Sequence, residues 1–246
     1  MYVPVGVPLA QLILRRFLCV NRSSPPSTRT IRRSSGRIVT GLLFHPQSAP
    51  RPTPRTAARL GHSAHERRVA LIAGKLFDLL RPRHKLDDEH RLLLSTAALV
   101  HDAAKALSPA DHDVRGAELV LADRSLPLSP VRRRAAAFLV RYHRDADGAL
   151  DAAAKLHAIK TDALMTLLAL LHAADGLDSR RVSVEAIIAR RKGRTLHITC
   201  LVGRKLARAQ RLLARPRKFK LLDRTLGVDV RVSVERAMDG ATASSR

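Results

Sequence analysis

Apolar residues recur at three- and four-residue spacing between residues 61 and 181, which predicts helices in this part of the chain. The first run begins at His65 and is predicted to end at Pro82, and its apolar positions are Val69, Ile72, Leu76 and Leu80. The later helices are predicted to begin at Asp87 or Asp88, near Val114, at Ser129-Pro130, and at Thr161 or Asp162. We therefore expect a mainly α domain over residues 61–181, in which the helices share one core.

After residue 181 the apolar spacing changes to every second residue, which predicts β-strands. The alternating positions are Val182, Val184, Ala186 and Ile188, then Leu196, Ile198, Cys200 and Val202, and finally Val228, Val230, Val232 and Val234. Residues 191–194 can form a hairpin turn, and a helical stretch that is broken near Pro216 precedes the last strand. The pattern predicts a small ββαβ subdomain of the α+β type over residues 182–236.

Both ends of the chain are predicted to be disordered. Residues 1–60 carry ten arginines and no acidic residue, and the stretch 21–59 is rich in Ser, Pro, Thr and Arg with little periodicity. Such a composition is typical of an organellar transit peptide, and an over-extended gene start would give the same pattern. The two explanations stay open, and residues 237–246 are predicted to form a second disordered tail.

The chain is strongly basic, with a formal net charge of +24. Without the first 65 residues, 35 basic residues still face 21 acidic ones. This excess favours polyanionic partners such as nucleotides, polyphosphate, RNA or an anionic membrane surface, although an Arg-rich solvated surface explains it equally well. With only two Tyr, five Phe and no Trp, the chain offers few stacking platforms for single-stranded nucleic acid, so nucleic acid is the least favoured partner.

The apolar runs and the cysteines bear on the location of the protein. No run of 18 or more apolar residues occurs, which predicts that the chain has no membrane span. The two cysteines, Cys19 and Cys200, are far apart and have no metal-type spacing, so they indicate neither a disulfide framework nor a thiolate site. We therefore expect a reducing compartment, the cytoplasm.

Four residues that can carry chemistry lie at the ends of predicted helices: His65, the doublet His101-Asp102, and Asp175. The doublet alone is a weak signal, because composition predicts about 0.7 His-Asp pairs by chance. Its position is more informative, since it ends an apolar helical face where a carboxylate is costly unless it is paired or bound to metal. Imidazole and carboxylate ligands suit Mn, Fe, Co, Ni or Zn, and Mg is a further option.

The order H…HD…D resembles that of the HD superfamily of metal-dependent phosphohydrolases. The resemblance implies a helical bundle in which these four residues hold one metal ion. It also implies that the aspartate of the doublet, Asp102, bridges to a second ion. Mixed nitrogen and oxygen ligands make Mn or Fe the first choice.

Five segments resemble the C-terminal HD domain of the exopolyphosphatase/guanosine-pentaphosphatase family: 65–69 (HERRV), 98–105 (ALVHDAAK), 116–120 (GAELV), 140–144 (VRYHR) and 171–178 (LHAADGLD). The similarity covers about three quarters of the chain, because that family also follows its helical domain with a hairpin, a helix and a strand. The Gly-rich phosphate loops of that family's actin-like domain do not occur before residue 60, so its main activity is not implied.

A second resemblance is to small bacterial HD hydrolases that cleave diadenosine tetraphosphate symmetrically. They share an HDxxK motif, here from His101 to Lys105, a His five residues before the Ala of a Gly-Ala pair, and a Tyr-His pair. The resemblance implies a two-metal set made of His65, His101, Asp102, His112, His143 and Asp175. The aromatic and acidic residues that follow the last aspartate in that family are replaced here by residues 176–180, so the substrate is not implied.

These observations predict a phosphohydrolase that acts on a phosphoester or phosphoanhydride, such as a nucleotide, a dinucleoside polyphosphate or polyphosphate. Asp102 and Lys105 are the predicted catalytic residues, with Lys105 holding a phosphate oxygen. The predicted substrate clamps are Arg68, Arg141 and Arg144. His172, close to Asp175 in sequence, is expected to support the core or the metal ligands from behind instead of binding metal.

Other functions stay open beside this one. The main alternative is a catalytically weak regulatory module that binds nucleotide or polyphosphate, as in the exopolyphosphatase family. A nucleic-acid-binding protein that has kept an inert fold ranks last. For the oligomeric state, a homodimer and a monomer both stay open.

Overall fold

Six α-helices form a bundle in the first large part of the chain that the structure describes. The structure is a computed structural model, and it describes residues 28–32, 38–44, 64–124, 126, 128–213 and 215–237. The helices are α1 (Ala64–His84), α2 (Asp88–Val100), α3 (His112–Ala122), α4 (Pro130–Tyr142), α5 (Ala149–Ala154) and α6 (Thr161–Gly176). The predicted mainly α domain is confirmed.

Local sequence signals explain where several of these helices begin and end. Asp87 precedes α2, and its carboxylate accepts the backbone N–H of His90 at 3.0 Å. Ser129 caps α4 in the same way, and Pro130 is the first residue of that helix. The predicted end at Pro82 is two residues early, because a proline in the last turn removes only one donor and α1 continues until Lys85 adopts a positive φ of 56°.

Helix α6 lies at the centre of the bundle. Leu164, Leu167, Leu168 and Leu171 are fully buried, and α1, α2 and α4 all pack against this helix. A helix that is apolar on most sides is expected at such a central position. Its burial fixes the place of its C-terminal end, where Asp175 lies.

The C-terminal subdomain has the predicted ββαβ order. It contains strands β3 (Ala186–Lys192) and β4 (Thr195–Val202), helix α7 (Leu206–Leu213), a 3-10 helix (Pro216–Lys218), helix α8 (Lys220–Leu226) and strand β5 (Asp229–Arg236). β3 and β4 are antiparallel and joined by a turn at Gly193, whose φ is 59°. β5 pairs with β4 in parallel, so the helices between them form the crossover that a parallel pair requires.

Two strands extend this sheet on the side of β3. They are β1 (Thr28–Arg32) and β2 (Ile38–Phe44), and the strand order is β1-β2-β3-β4-β5. The prediction of disorder over residues 1–60 missed these strands, because β2 pairs with β3 across about 145 residues of sequence and a local pattern does not reveal such pairing. The rest of that segment and residues 238–246 lie outside the described residues.

The sequence predicts that the chain has no membrane span. None of the described helices combines the length and the apolar character that crossing a bilayer requires.

Candidate metal centre

The six predicted metal ligands all lie at ends of bundle helices, and they meet at one end of the bundle. His65 is in the first turn of α1, His101 and Asp102 follow α2 directly, and His112 begins α3. His143 follows α4, and Asp175 is in the last turn of α6. Five of the six are buried, and Asp175 is partly exposed, with 19% of its side chain accessible.

One group of ligand atoms surrounds the Oδ2 atom of Asp102. The Nε2 atoms of His65 and His101 each lie 3.7 Å from this oxygen. The same two nitrogens lie 3.4 and 3.8 Å from Oδ1 of Asp175. Two imidazoles and two carboxylates therefore converge here, and we name these four residues the first pocket.

A second group surrounds the other oxygen of the same carboxylate. Oδ1 of Asp102 lies 3.0 Å from Nε2 of His112 and 3.4 Å from Nε2 of His143. These three residues form the second pocket, and their ligand atoms all lie within 4.8 Å of one another. Asp102 is thus shared between the two pockets, one oxygen facing each.

The orientation of the imidazole rings suits metal binding. In His101, His112 and His143 the Nδ1 atom lies 2.8, 2.9 and 2.7 Å from the carbonyl oxygen three residues earlier. A ring that donates Nδ1–H to a carbonyl keeps the lone pair on Nε2.

His101 gives the sharpest test of this fit. Its Nε2 atom is buried and has no hydrogen-bond partner among the described residues. Burial, together with the neighbouring His143, lowers the pKa of His101 to about 4, so the ring is neutral at pH 7. A buried lone pair without a donor is unusual in a native protein, and a metal ion would satisfy it.

Asp178 was not identified from the sequence, and it orients His65. Nδ1–H of His65 donates to Oδ2 of Asp178 at 2.6 Å. Burial alone would lower the pKa of His65, but hydrogen bonds with Asp175 and Asp178 outweigh burial and raise it to about 9. The sequence offered one signal for Asp178: it lies three residues after Asp175 and follows Leu177, which is buried.

Arg68, a predicted substrate clamp, pairs with Asp178. Its Nε and Nη2 atoms donate to the two carboxylate oxygens at 2.7 and 3.0 Å, which is the bidentate geometry typical of Arg and a carboxylate. Only 13% of its side chain is exposed. Arg68 lies one turn of α1 after His65, and both side chains contact Asp178. The structure therefore places Arg68 behind His65, as the partner of a buried carboxylate.

Three cationic groups contact the carboxylates of the first pocket. Lys105 Nζ and Arg180 Nη1 donate to Oδ2 of Asp102 at 2.8 and 2.9 Å, and Lys218 Nζ donates to Oδ2 of Asp175 at 2.7 Å. Burial would raise the pKa of Asp102, but His143, His101 and Lys105 outweigh it and hold the pKa well below its usual range. Arg180 also donates to buried Glu66 at 2.7 Å.

Lys105 was expected near the site, whereas Arg180 and Lys218 were not. Arg180 belongs to the segment 176–180, whose departure from the related hydrolases was the only signal available. Lys218 lies 43 residues beyond Asp175, in the C-terminal subdomain, and no sequence spacing connects the two.

The two other predicted clamps lie beside the second pocket. Arg141 Nη1 is 2.5 Å from Asp113 Oδ2, and Arg144 Nη1 is 3.3 Å from Asp113 Oδ1 and 2.5 Å from the carbonyl of Ala110. Both side chains are about half exposed, at 45% and 48%. Asp113 follows His112 in sequence, so these arginines border the pocket that contains that histidine.

His172 supports the backbone beside the second pocket, as predicted. Its Nε2–H donates to the carbonyl of Tyr142 at 2.7 Å, directly before His143. Burial lowers the pKa of His172 to about 4, so the ring is neutral at pH 7. Its placement explains why a histidine so close to Asp175 in sequence does not join the first pocket.

Comparison with known protein families identifies a domain in this chain. Residues 63–191, just over half of the chain, match the family described as HD domain. No curated protein matches the chain. HD domains are generally metal-dependent hydrolases that bind divalent metals, and the His/Asp groups that could hold a metal lie within the matched residues. The chain belongs to the HD-domain superfamily of metal-dependent phosphohydrolases.

Proposed function

We propose that this protein is an enzyme that hydrolyses a phosphoester or phosphoanhydride with divalent metal ions. The observation that carries the proposal is the sharing of Asp102, because each of its oxygens faces a different pair of histidines. A carboxylate placed between two histidine pairs is suited to bridging two ions, which is the arrangement of two-metal hydrolytic sites.

The proposed ligands divide between two ions. His65, His101, Asp102 and Asp175 would hold the first, and Asp102, His112 and His143 would hold the second. These nitrogen and oxygen donors suit Mn, Fe, Co, Ni or Zn, and Mg less well because it prefers oxygen ligands. When bound, such ions supply Lewis acidity at neutral pH and neutralise charge on phosphoryl oxygens.

The remaining side chains are proposed to orient the ligands and hold the substrate. Asp178 orients His65 by accepting its Nδ1–H, so that Nε2 faces the first ion. Lys105, with 43% of its side chain exposed, is proposed to hold a phosphoryl oxygen as negative charge builds up. Arg141 and Arg144 are proposed to contact more distant parts of the substrate. Arg68 is left out of this group because Asp178 holds its guanidinium in a bidentate pair and only 13% of its side chain is exposed.

The substrate proposal rests on the two resemblances seen in the sequence. They support a nucleotide, a dinucleoside polyphosphate or a polyphosphate-like chain, and a relationship to the exopolyphosphatase family is part of the proposal. Cytoplasmic location and the choice between monomer and homodimer stay predictions.

One observation favours the regulatory alternative, a module that binds phosphorylated ligands without turnover. Lys105, Arg180 and Lys218 donate to the same carboxylates that would bind metal. A protein in which these ion pairs replaced the metal could still bind a phosphorylated ligand through its cationic groups. Hydrolysis measurements separate the two functions.

The test is a phosphate-release screen with the metal-loaded protein over nucleotides, dinucleoside polyphosphates and polyphosphate. The enzyme proposal predicts phosphate release, and Asp102→Ala should lower the rate at least about 100-fold because both proposed ions lose a ligand. Asp151→Ala, the same change at an exposed position of α5, should keep the rate of the wild type. Equal rates in the wild type and Asp102→Ala would contradict the proposal, and tight ligand binding without turnover would support the regulatory module.

A further inference from the structure

The cationic groups at the first pocket come from three different parts of the fold. Lys105 lies in the turn after α2, Arg180 lies in the segment after α6, and Lys218 ends the 3-10 helix of the C-terminal subdomain. Their side chains are 43%, 37% and 18% exposed. They therefore contact buried carboxylates while part of each side chain faces solvent.

The charges of this region imply a ligand with several negative charges. The three cations are matched in number by the carboxylates that they contact, those of Glu66, Asp102 and Asp175. Two divalent ions would then add four positive charges, and coordinating histidines are neutral. A phosphate monoester has about two negative charges, which is fewer than this excess. A phosphoanhydride carries more negative charge than a monoester and would compensate more of this excess.

Arg180 is held so that one arm of its guanidinium faces the metal ligands. Nη2 donates to Glu66, of which only 3% is exposed, and Nη1 donates to Oδ2 of Asp102. That oxygen also faces His65 and His101 and would bind the first ion. A metal ion bound to Oδ2 of Asp102 would make this oxygen a weaker acceptor for Nη1. The hydrogen bond from Nη2 to Glu66 would keep the arginine in place. The Nη1 donor then becomes available to a phosphoryl oxygen.

Lys218 is placed by close contact between the subdomain and α6. A Cβ atom on Gly176 would lie 2.7 Å from Cβ of Lys218, so only a glycine lets the two backbones approach this closely. The neighbouring Phe219 is buried, with 4% exposed, and also lies against Gly176. The lysine thus reaches Asp175 from a fixed position.

We infer that Arg180 and Lys218 bind the phosphoryl group next to the one that is cleaved. The site would then take substrates with at least two neighbouring phosphates and prefer phosphoanhydrides to simple monoesters. The C-terminal subdomain would complete the substrate site through Lys218. This inference rests on the proposed phosphohydrolase function, because it assigns the phosphates relative to the metal ions.

The test compares the binding of two probes by calorimetry. Orthophosphate has one phosphoryl group, and imidodiphosphate has two joined by a P–N–P link that resists hydrolysis. Each is supplied with MnCl2 to the whole chain, and neither probe is turned over. The variants are Arg180→Met and Lys218→Met, and their matched controls are Arg181→Met and Lys220→Met at exposed neighbouring positions. Bound Mn is measured in every sample.

The inference predicts that each variant weakens imidodiphosphate binding about tenfold or more, since a charge-assisted hydrogen bond is lost. Orthophosphate affinity and Mn content should stay within about threefold of the wild type, and the controls should match the wild type. Gly176→Ala, which displaces Lys218 without changing its charge, should reproduce the loss. This variant keeps the test valid if Lys218→Met folds poorly.

Several results would overturn the inference. These are unchanged imidodiphosphate binding in the variants, an equal loss for both probes, a parallel loss of Mn, or no imidodiphosphate binding by the wild type. Failure of the proposed function gives a different result. A wild type that binds Mn and imidodiphosphate, with the predicted losses in the variants, but hydrolyses no substrate would contradict that function, and the phosphate contacts of Arg180 and Lys218 would still hold.

Discussion

Asp102 is the residue on which the proposed chemistry depends. Its side chain is almost fully buried, with 2% exposed, and both oxygens face histidine nitrogens. A buried carboxylate costs free energy unless its charge is compensated. Lys105 and Arg180 supply that compensation in the described structure. Metal ions would supply more of it, which is why we assign this carboxylate a bridging role.

Removal of the Asp178 charge should weaken the first pocket without removing a ligand. We expect Asp178→Asn to lower Mn²⁺ affinity about 10- to 100-fold, because the tautomer and orientation of His65 are no longer fixed. Calorimetric titration of Mn²⁺ measures the change, and thermal unfolding verifies that the variant is folded. Asp151→Asn, an exposed change of the same kind, should have the affinity of the wild type. Unchanged affinity in Asp178→Asn would contradict the role given to Asp178.

The sequence was sufficient to propose some of the residues of the candidate site. The six candidate ligands could be proposed because they lie at the ends of helices whose apolar faces are regular, either at the first turn or after the last one, and because their order resembles a known family. Asp178, Arg180 and Lys218 could not be predicted in the same way. Their roles depend on contacts across 113, 78 and 43 residues, which periodicity and spacing do not encode.

At the scale of elements, α6 is the helix that supports both the core and the site. Leu168→Ala should lower the free energy of unfolding by about 2–5 kcal/mol, because the side chain is fully buried and its loss leaves a cavity. Leu150→Ala, at a position that is 60% exposed, should change it by less than about 0.5 kcal/mol. Urea denaturation measures both changes. Equal stability of the two variants would contradict the central position of α6.

Strand β4 contains a buried thiol that should be unreactive in the folded protein. Cys200 is fully buried, and burial raises the pKa of its thiol to about 12. In a Cys19→Ser background, a thiol reagent at pH 8 should modify Cys200 only as fast as the protein unfolds. Fast modification of the folded protein would contradict the burial of β4.

The same raised pKa has a consequence for stability. Because the folded thiol has the higher pKa, its contribution to stability is complete below the unfolded value of about 8.5. The contribution falls as the pH rises from there through about 12. Cys200→Ser, which does not titrate in this range, should lack this part of the alkaline loss in urea denaturation.

Element prediction succeeded where the pattern was local. The helices of the bundle and the ββαβ order of the subdomain follow from periods of 3.6 and 2 residues. The strands β1 and β2 were missed because β2 pairs with β3 across about 145 residues of sequence, which a local pattern does not reveal. β2 pairs with the side of β3 that β4 leaves free, so β3 is an inner strand of the sheet.

At the scale of the whole molecule, the positive charge is distributed unevenly. In residues 182–236, fifteen Lys and Arg residues face four acidic ones, whereas in residues 64–181 nineteen face sixteen. The basic subdomain is also the part that contributes Lys218 to the first pocket. Such an asymmetry raises the local concentration of anionic ligands near the site. It agrees with the proposal that the substrate carries several phosphates.

The most direct test of the central claim is the number of metal ions bound per chain, measured by mass spectrometry after dialysis against Mn²⁺. We predict two ions for the wild type, one for His65→Ala, one for His112→Ala, and none for Asp102→Ala, since both pockets share this carboxylate. Full metal content in Asp102→Ala, or no bound metal in the wild type, would contradict the account.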